Sequence, residues 1–297
     1  MFGLKSASAL FTDHERTLIE QAASLLGVGS PKWRRDHAEF ARHSEYVSVS
    51  VAVLRRLLNA RLGGDPVLAA IALAPAVGVA PSAEVLADLP RLRHLLRPRL
   101  IHPRELQGPR RMMCRRETFG GLLQAIALGP RLDAPLVTTA ALDQWHAEFE
   151  DVFADARRNY AKEVTNRNIL EVQGAPGLLA LLHDREQAAA AAFIIDELFP
   201  PSLLPHGVVF ATPGAEVLLA FPVIENAGPD GLAAIVQASY SMSREREDPL
   251  SERAFWKRDG SIIDLPMTAV EDRTSRRIHI EARGPLEDLL RILGAIE

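Results

Sequence analysis

Nine arginines and one acid, Glu105, fall within residues 91–116, at positions 91, 93, 97, 99, 104, 110, 111, 115 and 116. The segment therefore carries +8 in a chain of formal charge −4, which leaves −12 for the remainder. Two chemistries suit such a stripe. Each arginine can neutralise a phosphate and gain salt-sensitive affinity by counterion release. The planar guanidinium fork can equally pair with carboxylates, of the same chain or of a partner. Three features favour carboxylates: the pI is about 6.2, no aromatic side chain interleaves the arginines to stack bases, and no nucleic-acid-binding motif frames them. The expected partner is another protein. The alternative is a phosphate-bearing ligand clamped by Arg110, Arg111, Arg115 and Arg116, and nucleic acid is the least favoured.

Cys114 lies inside this cationic run. Neighbouring cations can lower a thiol pKa, which makes Cys114 a candidate reactive thiol. The preferred reading is a small buried apolar residue behind Met112 and Met113. As the only cysteine it excludes an internal disulfide or a multi-cysteine metal site and fits a reducing, cytoplasmic compartment.

The nine histidines are scattered, with no HExxH or HxH pair, so no metal site is expected. His37 and His43, with Asp36 and Glu39, form the densest group; on a helix the two histidines would face different sides, and a solvated surface is expected. Glu148, Glu150, Asp151 and Asp155 fall on the polar face of an amphipathic helix rather than in an acid–base pair. GVGSPKW at 27–33 lacks the P-loop spacing, and neither GxGxxG nor GxSxG occurs in a suitable setting. The sequence thus presents no catalytic residue and implies no cofactor.

The elements that must position these residues are a mixture. Leu18, Ile19, Ala22, Leu25 and Leu26 predict a helix over 13–26, capped by Thr12 or Asp13 and stopped at Gly27. Residues 46–62 open on alternating YVSVSVAV, but the spacing of Leu54, Leu57, Leu58 and Leu62 favours helix for most of them. Short helices are expected over 66–74 and 82–89, a strand over much of 119–128, and one helix from Thr138 or Thr139 through Lys162. Further along, strands are expected at 168–172 and 177–183, a helix at 186–199 stopped by Pro200 and Pro201, and a hairpin turning at Pro213-Gly214. A helix over 231–242, a strand pair across Asp259-Gly260, a strand at 277–282 and a helix over 285–296 complete the chain.

Helices and hairpins alternate without a βαβ repeat, so the fold class is α+β, with a mainly antiparallel sheet, packed helices and a helical N-terminal part. With 297 residues, the chain divides as 1–90 and an α+β domain over 91–297, or forms one continuous compact unit. No apolar stretch of signal-peptide length precedes Asp13, and the apolar run at 66–81 falls short of the roughly 20 residues of a membrane span. The arginine bias, with lysine only at 5, 32, 162 and 257, is that of a GC-rich bacterial genome.

Three stretches, LRHLLRPRLI, VTTAALDQWHAEFEDVFADARRNY and HDREQAAAAAFIIDELFPPSLLPHGVVFATPGAEVLLAF, carry a resemblance. Thr138, Leu142, Trp145 and Asn159-Tyr160, followed by residues 210–218, are similar to the pattern of a widespread bacterial family of uncharacterised proteins that includes YtpQ. The resemblance covers about residues 91–221. It implies an α+β fold and carries over no activity, cofactor or catalytic residue. The sequence therefore leads to a non-catalytic cytoplasmic interaction protein, with an enzyme or sensor of a phosphate-bearing ligand or nucleic acid as the alternative.

Overall fold

The computed structural model describes residues 7–59, 64–106, 112–164, 169–182, 187–272, 275–280 and 283–296. The chain divides into two units, one formed by Met1–Leu96, Ala127–Gly129 and Asp133–Glu148, the other by Arg97–Ile126, Pro130–Leu132 and Phe149–Glu297. The first unit thus extends beyond residue 90 and takes back two later segments. The fold is α+β.

In the first unit, helix α1 (Asp13–Leu25) begins at a reciprocal cap: the Glu15 amide donates to Thr12 Oγ1 at 3.2 Å, and the Thr12 amide donates to Glu15 Oε2 at 2.7 Å. Its face of Leu18, Ile19, Ala22 and Ala23 is buried. Strands β1 (Lys32–Trp33), β2 (His37–Arg42) and β3 (Glu45–Ser50) form an antiparallel sheet in that order, turning at His43. This corrects one expectation. The YVSVSV alternation is a strand, burying Val49 while Tyr46, Ser48 and Ser50 stay exposed, and the leucine periodicity begins only at α2 (Val51–Leu58), which Ser50 caps. His37 and His43 sit on a hairpin, not a helix. The N-terminal part is accordingly helical with a sheet of its own.

Helix α3 (Pro66–Val77) is apolar around most of its circumference and packs on α1. Asp65 caps it and Gly78 ends it in the left-handed conformation. The expected helix at 82–89 is only a turn held by Ser82, because Asp88 and Pro90 start a new one, α4 (Leu89–Leu92). Helix α5 (Thr139–Trp145) ends at left-handed His146, where the Ala147 amide returns to the Leu142 carbonyl. The single helix expected from 138 to 162 is therefore two, the second being α6 (Phe149–Glu163) of the larger unit.

A three-stranded sheet of β4 (Leu96–Ile101), β5 (Arg115–Glu117) and β6 (Leu123–Leu128), in the order β4-β6-β5, gives most of its residues to the larger unit. That unit's main sheet is antiparallel throughout. It comprises β7 (Ile169–Glu171), β8 (Leu179–Leu182), β9 (Val208–Gly214), β10 (Val217–Pro222), β11 (Ala254–Arg258) and β12 (Ser261–Asp264), ordered β12-β11-β9-β10-β8-β7. Strands β13 (Met267–Asp272) and β14 (Ser275–Ile280) pair separately, and β13 has no counterpart in the sequence expectations. The hairpin β9–β10 turns at Ala215-Glu216 instead of Pro213-Gly214, since a bulge in its register accommodates Pro213 within the strand.

Val209, Ala211, Leu219 and Phe221 of the main sheet join a buried cluster with Leu232, Ile235 and Val236 of α8 (Asp230–Arg244) and Leu286, Leu289 and Leu290 of α9 (Pro285–Ile292). Phe210 and Phe255 instead meet Phe119, with ring centroids 5.2 and 4.8 Å away, while Phe193 meets Phe153 at 5.2 Å. Residues expected as a helix over 186–199 form a tight 3₁₀ segment, Ala188–Ile194, before α7 (Ile195–Leu198). Ala188 to Ala192 are wholly buried, and the Ala189 amide donates to the Ala215 carbonyl at the β9–β10 turn at 3.0 Å. Helix α9 stops short of Ile296 because Gly294 turns left-handed.

Thr212, wholly buried on β9, has a side-chain hydroxyl with no hydrogen-bond partner among the described residues. Leaving such a group unpaired costs about 1–3 kcal/mol. Thr212→Val is expected to raise unfolding stability by about 1 kcal/mol in urea titrations, and a loss of stability would show that the hydroxyl has a partner.

Candidate functional site

The stripe arginines that the structure describes fall in both units. Arg91, in the first unit, grips Asp65 with Nε 2.6 Å from Oδ2 and Nη2 2.5 Å from Oδ1. In the larger unit Arg97 and Arg99 are buried on β4. Arg97 Nε donates to Glu163 Oε2 at 2.7 Å and Nη2 to the second oxygen, a bidentate pair. Arg99 donates to the Leu132 carbonyl and, at 3.2 Å, to that of Arg131. Arg115 and Arg116 lie on β5; Arg115 donates to the Met113 carbonyl at 3.3 Å, and Arg116 pairs with Glu150 and lies over the Phe149 ring. Arg110 and Arg111 lie outside the described residues. Of the expected four-arginine clamp the structure thus describes Arg115 and Arg116, both on β5.

Cys114 is buried, and burial pushes its thiol up to about 12, so it is protonated at neutral pH. This is the small buried residue of the preferred reading: desolvation dominates, opposed by a backbone hydrogen bond.

His37 does belong to a network. Its Nδ1 lies 2.8 Å from Asp36 Oδ1 and its Nε2 3.5 Å from Glu39 Oε1, while Glu39 also accepts from Arg34 at 2.8 Å. The bond to Asp36, opposed by desolvation and assisted by Glu39, raises the His37 pKa above its ordinary 6.5. A raised pKa means that the stabilisation is complete below the unfolded-state value and fades as pH rises through the folded one. An NMR titration should therefore place His37 above 6.5, and Asp36→Asn should lower it. An unchanged pKa in the variant would contradict the assignment. Among the described residues no group of three or more His, Cys, Asp or Glu side chains could hold a metal ion.

Two cavities that share Leu250 flank the loop joining α8 to β11 in the larger unit. The loop is pinned from within: Ser239 and Ser243 hydroxyls donate to the Ser251 carbonyl at 3.4 and 3.0 Å, and the Ser251 amide donates to the Thr212 carbonyl at 3.1 Å. One cavity, of about 490 Å³, has mixed charge, with Arg99, Glu105, Glu216, Arg246, Glu247 and Asp248 in its lining. Arg246 is already paired with Glu216 at 3.0 Å. Buried Gln187 closes its inner end by exchanging both amide hydrogen bonds with the Leu100 backbone, at 3.3 and 3.0 Å.

The other cavity, of about 470 Å³, is basic: Arg104, Arg244 and Arg253 line it against a single acid, Glu252. His102 completes its wall. The Arg104 amide donates to His102 Nδ1 at 3.1 Å, and the His102 amide donates to Glu105 Oε1 at 3.3 Å, a cap on the turn Pro103–Glu105. Burial, reinforced by the Arg104 charge, lowers the His102 pKa. The ring is thus neutral, and with Nδ1 accepting, its proton sits on Nε2.

His102 stands in the sequence without a motif, and the loop carries no catalytic signature. The only local signal is the charge run SREREDPLSER at 243–253, which carries both signs in a connection between a helix and a strand. No family model matches this chain, and no curated protein or solved structure matches it.

Proposed function

We propose that this chain is a non-catalytic interaction protein of the bacterial cytoplasm that engages an acidic partner protein through the basic cavity of its larger unit. The observation that carries this reading is the three-to-one excess of arginine over acid around that cavity, formed by Arg104, Arg244 and Arg253 against Glu252. Complementary charge of this kind selects partners and speeds their encounter. The stripe arginines at 91, 97 and 116 are bonded to carboxylates of their own units, and they build structure where a nucleic-acid track would need them open. A relationship to the family that includes YtpQ is part of the same proposal and rests on the motif residues 138–160 and 210–218.

A ligand that binds only the native state raises its melting temperature. A thermal-shift comparison at low and high salt should show an acidic peptide stabilising the protein at low salt, with the effect fading as salt screens the contact. An oligonucleotide of matched charge should do less. A larger, steeply salt-dependent shift with the oligonucleotide would overturn the reading.

A further inference from the structure

We propose that the basic cavity is a site for a phosphate monoester, held by the guanidinium groups of Arg104, Arg244 and Arg253 with His102 Nε2–H as a neutral donor. The inference rests on the reading that an anionic partner binds here, and it names the group recognised.

The cavity, at about 470 Å³, lies in the size range of small-ligand sites. Its cations are not equally committed. Arg253 shares its charge with Asp264 at 3.2 Å. Arg244 lies over the Tyr240 ring, 5.5 Å from its centroid, a contact that orients the guanidinium plane without using its N–H donors. Arg104 forms no ion pair with an acid among the described residues. Arg104 and Arg244 therefore supply two positive charges outside any ion pair, set against Glu252 alone in the lining, so the wall stays net cationic. A phosphate monoester, a dianion above its second pKa of about 6, presents more charge and more acceptor oxygens to these forks than a carboxylate does.

The donor geometry agrees. Arginine forks suit tetrahedral oxyanions bidentately, and the cap on His102 fixes its one proton on Nε2, so it enters as a hydrogen-bond donor with no charge of its own to desolvate. The Ser243 hydroxyl is not counted, because it is already donated to the Ser251 carbonyl.

Isothermal titration of the full chain should use four probes: a phosphoserine peptide, its unphosphorylated counterpart, a glutamate-substituted counterpart and inorganic phosphate. The phosphoserine peptide should bind at least about tenfold more tightly than the glutamate peptide, and Arg104→Glu or Arg244→Glu should each weaken it at least about tenfold. Arg244→Lys, which keeps the charge and loses the fork, should fall between, and circular dichroism establishes that each variant is folded. If inorganic phosphate binds as tightly as the phosphopeptide, the site stands and its ligand is a free phosphate-bearing molecule. Equal binding of the glutamate and phosphoserine peptides would overturn the phosphate assignment while leaving the acidic-partner reading intact. Failure of every acidic probe, with the charge reversals silent, would overturn both.

Discussion

Gly207→Ala is expected to cost about 4 kcal/mol or more in stability, in the range reserved for severe backbone conflicts. Gly207 enters β9 with φ at +82°, a conformation that already costs any residue with a Cβ about 1–2 kcal/mol. A Cβ there would also drive into the Lys257 carbonyl oxygen and lie 3.2 Å from the Arg258 Cα, both of them backbone atoms. Lys257 is the ladder partner of Val208, so neither side can yield without loosening the β9–β11 pairing at the centre of the main sheet. The Trp256 indole N–H, which donates to the His206 carbonyl at 2.9 Å, would be strained by the same shift. Gly260→Ala provides the contrast: φ is +77° there, but a Cβ meets nothing within 4 Å, and only the conformational cost of about 1 kcal/mol applies. Urea unfolding of the two variants measures the difference, and equal costs would refute the backbone-clash account.

The second large effect is expected at the Arg97–Glu163 pair. The Arg97 side chain is 10% exposed and that of Glu163 47%. Glu163→Gln puts a neutral amide in place of the carboxylate bound by this nine-tenths buried guanidinium, at a cost of about 3 kcal/mol. Arg97→Met should cost less, since it buries an apolar side chain of similar length and leaves only a half-exposed carboxylate that water can solvate. The order of the two costs, read from denaturant midpoints, is the informative quantity. If Arg97→Met proved the more damaging, the stripe would contribute through arginine itself and not through the pair.

That pair also shows why the arginine-rich segment misleads a reader of the sequence. Arg97 and Arg99 interrupt what is otherwise the apolar strand Leu96–Ile101, and the acid that makes Arg97 tolerable inside lies 66 positions away. Nothing local announces the pairing. Elements specified locally were legible: α1 from its period and its Thr12 cap, α8 from its apolar face, and the β11–β12 turn from Asp259-Gly260, whose φ values of +50° and +77° require those residue types. Residues 46–62 read as mostly helix because a strand passes directly into a helix at Ser50, so two periodicities run together without a break. The basic cavity was hidden for a different reason. His102 and Arg104 meet Arg244 and Arg253 only after about half the chain has folded between them, and neither segment carries a motif that names the other.

The most direct test of the account is a fluorescence-anisotropy titration of a labelled acidic peptide at low salt against the wild-type chain and the folded Arg104→Glu, Arg244→Glu double variant. The account predicts that the double variant loses at least about a hundredfold in affinity, since two charge-assisted contacts become repulsive. An unchanged dissociation constant would contradict it and place any acidic partner elsewhere on the molecule.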